Sequence, residues 1–207
     1  MQPVDAVTDA ARDASALPRP LMLGERVAII GSSGSGKSTL ARRLRDERGY
    51  AWLELDRVHH MAGWTPRPEG EARAEIAAFT DGEPRWVVDG NYAMYRELIW
   101  GAADTVVWLD LPRAVVMRSL LGRTLRRLVT REVLYNGNRE PWSNLYSLDP
   151  ERSVLAWSFT RHHGYRAEFL ARIDDPRWAH LRWIRVRDRR ELQPLLTTGE
   201  ASSGRAP

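Results

Sequence analysis

The stretch "RVAIIGSSGSGKSTLARRL", residues 26–44, decides the reading of this 207-residue chain. A short β-branched run enters a glycine- and serine-rich loop, which opens into an amphipathic, Arg-rich segment. Gly31, Ser32, Ser33, Gly34, Ser35, Gly36, Lys37 and Ser38 together fit G-x-x-x-x-G-K-[ST]. The glycines admit backbone conformations closed to other residues, so successive N–H groups can turn inward around an anion. The helix that follows adds the positive end of its dipole. Lys37 is then placed to reach the β- and γ-phosphates of a nucleoside triphosphate, Ser38 to ligate Mg2+, and Thr39 to cap the helix or touch the α-phosphate. Among 31 basic side chains Lys37 is the single lysine. A compact ammonium suits a crowded phosphate site better than a planar guanidinium.

Outward from this loop, short apolar runs alternate with longer helical patterns. Strands are expected at 26–30, 51–55, 86–88, 105–109 and 181–186. Helices are expected at 37–48, 68–80, 92–99, 113–130, 150–173 and 189–196. That alternation predicts an α/β fold, a parallel sheet with helices on both faces. Sites in such sheets lie at the carboxyl ends of the strands. Two carboxylates stand there. Asp89 ends "WVVD" and has the position of a second Mg2+ ligand. Asp56 follows "WLEL" and is suited to orient an acceptor hydroxyl or take its proton. Asp110, ahead of Pro112, reads as a structural residue at a helix start.

Arg123, Arg127 and Arg131 fall at i, i+4 and i+8 of the expected helix 113–130 and just past it, on one face, with Arg126 beside them. Val116, Leu120, Leu121, Leu125 and Leu128 supply its apolar stripe. Clustered guanidiniums repel each other unless anions lie nearby, so phosphate contact is expected of Arg123 and Arg127. The turn-rich segment "EVLYNGNREPWSNLYSLDP" after it reads as a mobile lid over about residues 130–149, with Arg139 as its phosphate-facing residue. Of the nine tryptophans, Trp52, Trp86, Trp108 and Trp183 lie in or beside strands and are expected in the core. Trp64 and Trp142 lie in loops, where either could stack on a ring.

Composition bounds the remaining choices. The chain has no cysteine, so disulfide, thiolate and cysteine-ligated metal chemistry are excluded. No apolar run approaches the length of a membrane span, and the first residues lack the order of a signal peptide, so a cytoplasmic location is expected. A net charge of +4 spread over interspersed arginines and carboxylates, without a nucleic-acid-binding motif, argues against nucleic acid as a primary partner. Residues 1–22 read as a disordered leader, 23–196 as a single domain and 197–207 as a flexible tail. A monomer or weak dimer is expected.

The ordered set "IIGSSGSGKSTLARRL", "ELDRVHHMAGW", "WVVDGNY", "TVVWLDLP", "GRTLRR" and "NGNRE" resembles the P-loop nucleoside-monophosphate-kinase-like group. More narrowly it resembles the adenylate-kinase-related DNA topology modulation (FlaR-like) proteins, over roughly residues 25–196. The resemblance implies a five-stranded parallel sheet in the order 2-3-1-4-5, with a lid between the last two long helices. It also implies ATP-dependent phosphoryl transfer with Mg2+. Asp89 and Gly90 look like the start of the adenylate kinase "DGFPR" motif, Gly122 and Arg123 like the Gly-Arg that opens its lid, and residues 187–190 like its adenine loop. Here "DGFPR" has become "DGNYAMYR", which removes the arginine that grips a monophosphate and leaves Arg96 as the nearest substitute. The acceptor is therefore either a nucleoside monophosphate or a small hydroxylated metabolite. The rival reading is a nucleotide-dependent, DNA-associated regulator. No N-K-x-D motif supports a GTPase.

Overall fold

A computed structural model describes residues 23–196. The expected leader and tail lie outside the described residues. Five strands form one parallel sheet: β1 (Arg26–Gly31), β2 (Ala51–Glu54), β3 (Trp86–Asp89), β4 (Thr105–Leu109) and β5 (Arg182–Val186). Their order is β2-β3-β1-β4-β5, as the resemblance implied. The helices are α1 (Lys37–Arg48), α2 (Leu55–His59), α3 (Glu69–Gly82), α4 (Arg96–Ala102), α5 (Arg113–Thr130), α6 (Ser143–Tyr146), α7 (Val154–Ile173) and α8 (Gln193–Leu196).

Strand β1 is central, paired with β3 on one side and β4 on the other. Its side chains alternate between two cores, as the pleat requires. Val27 and Ile29 join Leu40, Ala41, Leu44, Val107, Val116 and Leu195 on the face covered by α1, α5 and α8. Ala28 and Ile30 join Val88, Tyr95, Ile99, Trp108 and Phe169 on the face covered by α3, α4 and α7. Both faces are dry, which is why the strands read as continuous apolar runs.

The structure corrects several boundaries. Strand β2 ends at Glu54, and Asp56 lies in the first turn of α2, an element the sequence patterns did not separate from the strand. Helix α7 starts at Val154, where the Ser153 hydroxyl accepts from the Ala156 amide; the expected start at 150 included the turn before that cap. On α5 the buried positions are Val116, Leu120, Thr124 and Leu128, a strict four-residue spacing. Leu121 and Leu125 face outward, because only a narrow stripe of this helix meets its neighbours.

Candidate active site

The carboxyl ends of β1, β2 and β3 open onto one cavity of about 1050 Å3. At its floor, the loop after β1 bends back into α1, which begins without a side-chain cap and with no acidic residue in its first turn. Its first N–H groups are therefore left for an anion. Gly34 has φ +88°, and a Cβ there would stand 2.7 Å from Leu120 Cβ and 2.8 Å from the Val116 carbonyl. Glycine at this position lets α5 close against the loop. The Lys37 ammonium donates to the carbonyls of Gly31 (2.9 Å) and Ser32 (3.3 Å). Burial pushes its pKa down, opposed by the charges of Asp56 and Asp89.

Two carboxylates reach the cavity from the ends of β2 and β3. Asp89 is almost fully buried, pairs in register with Ile29, and accepts from Trp52 Nε1 at 3.3 Å. Burial raises its pKa to about 7, with Ser38 beside it pulling the other way. Glu54, pushed up by burial, lies beside Ser38 as well. Among the described residues no three His, Cys, Asp or Glu side chains make a self-contained metal cage. A hydroxyl and one or two carboxylates is the donor set of a Mg2+ that completes its shell with phosphate and water. The residues present fit Mg·ATP. One further observation supports the fit: Arg123 faces the cavity with its Nε buried and without a hydrogen-bond partner. Burial lowers its pKa, and its neighbour Arg127 adds to that.

Helix α2 brings a further carboxylate to the cavity. Gly90, with φ +144°, lets Leu55 pack directly on the backbone after β3, where a Cβ would stand 2.7 Å from Leu55 Cβ. That contact carries Asp56 into the cavity. The Tyr92 hydroxyl donates to Asp56 Oδ1 at 2.8 Å and lies 3.1 Å from His60 Nε2. The Tyr135 hydroxyl donates to Glu54 Oε1 at 2.7 Å.

Of the residues named from sequence, Lys37, Ser38, Thr39, Asp56, Asp89, Arg123 and Arg127 all line this one cavity, with Ser33, Gly34 and Gly36 of the loop. Gly31, Ser32 and Ser35 are buried beneath it. Arg127 is engaged by Glu140 (3.5 Å) and Glu132 (3.9 Å). Arg139 is not brought in. It lies outside the cavity lining, and its guanidinium donates to the carbonyl of Arg131, the residue that ends α5, where a cation meets the negative helix end. Arg131 itself is exposed. Gly122 and Arg123 lie inside α5, eight residues before the loop begins. Arg96 is committed elsewhere, 2.6 Å from Glu168 and stacked over Trp100. Asp110 is structural, 2.5 Å from Arg185. Trp52 and Trp64 line the cavity, whereas Trp142 does not.

The expected lid is tied down on the side of α2. Asn138 Oδ1 accepts from the Trp64 amide at 3.0 Å, and its Nδ2 donates to the Met61 carbonyl at 2.9 Å. Asn136 donates to the carbonyls of Arg57 and His60. Trp64 Nε1 donates to the Arg139 carbonyl at 3.0 Å. Sequence reasoning missed Glu54, Asn91, Tyr92 and Tyr135. The "ELD" spacing, which puts two carboxylates around one strand end, was the available signal for Glu54.

No family model matches the chain. Among curated proteins it is similar to the shikimate kinase of Gloeobacter violaceus, 32% identical over 136 residues that cover 58% of this chain and 72% of that one. It is similar to the shikimate kinase of Nitrobacter winogradskyi at 31% over 143 residues, covering 55% and 66%. Among solved structures, the shikimate kinase of Bacteroides thetaiotaomicron aligns with a TM-score of 0.48 at 14% identity, covering 83% of this chain and 93% of that one. With a complete phosphate loop, a carboxylate at the end of β3 and a relative matched over most of its length, the chain belongs to the family of P-loop kinases that holds the shikimate kinases.

Proposed function

We propose that this protein transfers the γ-phosphoryl group of ATP to a hydroxyl group of a small molecule. The observation that carries the reading is the meeting of Lys37 and Asp56 in one cavity, delivered from the ends of different strands. Kinases of this family use ATP and Mg2+. When bound, Mg·ATP supplies the phosphoryl group and much of the charge compensation for its transfer. The chain's own groups do the rest. The loop amides and the N-terminus of α1 hold phosphate oxygens. Ser38 and Asp89 hold the metal. Asp56 takes the proton of the acceptor hydroxyl as that oxygen bonds to phosphorus. Lys37 and Arg123 neutralise the diphosphate that departs with the electrons of the broken P–O bond.

Of the two acceptor classes the sequence left open, the hydroxylated metabolite is favoured. Arg96, the candidate for holding a monophosphate, is held by Glu168 instead. The DNA-associated alternative would place arginines on an outer face, yet Arg42, Arg123, Arg126, Arg127, Arg152 and Arg189 line the cavity. The test is ADP release from Mg·ATP by the purified full chain across a panel of hydroxylated acceptors. Acceptor-dependent release that Lys37→Ala abolishes is expected. Absence of turnover across the panel, or turnover that survives Lys37→Ala, would refute the proposal.

A further inference from the structure

The two ends of the cavity differ in charge. Its arginines come from α1, α5, the turn before α7 and the loop after β5. The end that holds Asp56 is walled by Glu54 and by the rings of His60, Trp64, Tyr92 and Tyr135. These rings form a connected box. His60 and Trp64 meet edge to face at 5.2 Å, Trp64 and Tyr135 at 6.5 Å, and Tyr92 lies 6.3 Å from His60. The Tyr92 and Tyr135 hydroxyls are turned onto carboxylates.

The arginines of residues 55–102 are kept out of this end. Arg67 pairs with Glu75, and Arg73 bonds the Met94 carbonyl. Arg85 lies 2.9 Å from Glu25 and over the Tyr50 ring. Arg96 is held by Glu168, and Arg57 is exposed outside the lining. On α5, Arg127 is engaged by two glutamates. Lys37 and Arg123 feel the Asp56 charge, but in the proposed transfer both are taken by the ATP phosphates. A carboxylate or phosphate on the acceptor would then be desolvated beside Asp56 and Glu54 without a guanidinium left to receive it, an arrangement that costs far more than a neutral group at the same place. Ring faces, by contrast, favour a flat apolar surface or a cation.

We infer that the acceptor is a non-anionic molecule, carrying its hydroxyl on or beside a ring with a flat or apolar face, and that acceptors bearing a carboxylate or phosphate are rejected. This rests on the proposed phosphoryl transfer, because it takes Asp56 as the point where the hydroxyl lands. The relatives named above act on an anionic acid, so the inference separates this chain's specificity from theirs.

The experiment is calorimetric titration of the full chain, saturated with Mg2+ and a non-hydrolysable ATP analogue. The probes are two matched pairs: adenosine against adenosine monophosphate, and methyl shikimate against shikimate. The neutral member of at least one pair is expected to bind tenfold or more tightly than its anionic partner, with that preference lost in Trp64→Arg. Circular dichroism and thermal melting of the variant confirm that it is folded. Tyr92→Leu should weaken the neutral probe several-fold and serves if Trp64→Arg does not fold. Equal or tighter binding of the anionic member in both pairs overturns the inference, and so does the absence of binding by either neutral probe. The kinase reading falls on a different result, namely binding of the ATP analogue that is indifferent to Lys37→Ala.

Discussion

At the scale of single residues, Asn91 shows how the phosphate loop is fixed from outside itself. Its Oδ1 accepts from the Gly31 amide at 3.0 Å, and its Nδ2 donates back to the Gly31 carbonyl. The first residue of the loop is thereby tied to the segment after β3, which also carries Asp89. Asn91→Ala removes both bonds. It should cost about 1–2 kcal/mol of stability, the scale of a hydrogen-bonded group left without its partner. It should also raise the KM for ATP, while kcat at saturating ATP changes little. Urea unfolding and initial-rate kinetics read the two effects separately, and a variant with unchanged KM would show that the tie is only structural. The sequence made Lys37, Asp56 and Asp89 legible because each stands where a motif or a strand end demands a charge. It hid Asn91, Tyr92 and Tyr135, because an amide or hydroxyl after a strand resembles ordinary turn chemistry. Only the fold gives these three their partners: Gly31 at the end of β1, Asp56 in α2 and Glu54 at the end of β2. Arg139 was misread for the converse reason: a basic residue in a turn-rich loop looks free to reach phosphate until the end of α5 is placed beside it.

At the scale of elements, two contacts couple the site to its surroundings. The loop at Gly34 touches α5 so closely that Gly34→Ala would drive a methyl group into Leu120 and the Val116 carbonyl. The positive φ adds strain of roughly 1 kcal/mol for any L side chain. The variant should therefore melt lower and lose affinity for ATP together, which differential scanning with and without nucleotide would reveal; a drop in only one of the two would show that α5 and the loop are independent. The second contact is the strap between residues 134–139 and the turn that holds Trp64. Asn138→Ala removes two of its bonds and should speed hydrogen exchange of the Trp64 amide by about tenfold, given a net loss near 1.4 kcal/mol. The same variant should raise KM for the acceptor more than KM for ATP. The segment's turn residues and its place between two long helices marked it as an expected lid, and its residues 132–135 line the cavity. That it is pinned to α2 was not legible, since four of the pinning groups are main-chain atoms that no side-chain pattern announces.

At the scale of the whole molecule, the parallel α/β class was legible in the alternation of short apolar runs and helical patterns, whereas the strand order came from the resemblance alone. What pattern could not show is how α7 leans on the phosphate loop. Ser158 donates to the Ser33 carbonyl at 3.2 Å, and His162 Nδ1 lies 3.3 Å from the Ser32 hydroxyl. His162 is buried, and its pKa is pushed below 6.5, first by desolvation and then by His163, with Asp110 opposing and Arg113 and Arg166 assisting. The folded state therefore holds a neutral ring. Above about pH 6.5 neither state binds the proton, and the His162 contribution to stability is fully present. As pH falls below that value, the unfolded chain takes up a proton that the folded chain refuses, so stability declines until the folded pKa is reached. Asp89 acts in the opposite sense: its carboxyl, raised to about 7, favours the proton in the fold, and its contribution weakens as pH climbs from about 4 to about 7. The two trends overlap just below about pH 6.5, so a parent titration alone mixes them. The difference between parent and His162→Gln separates them, because Asp89 is common to both. Urea midpoints measured across that range should show the parent losing more stability than the variant on acidification. Parallel titration curves for the two proteins would mean that the ring is hydrated in the fold, and that α7 does not seal the back of the phosphate loop.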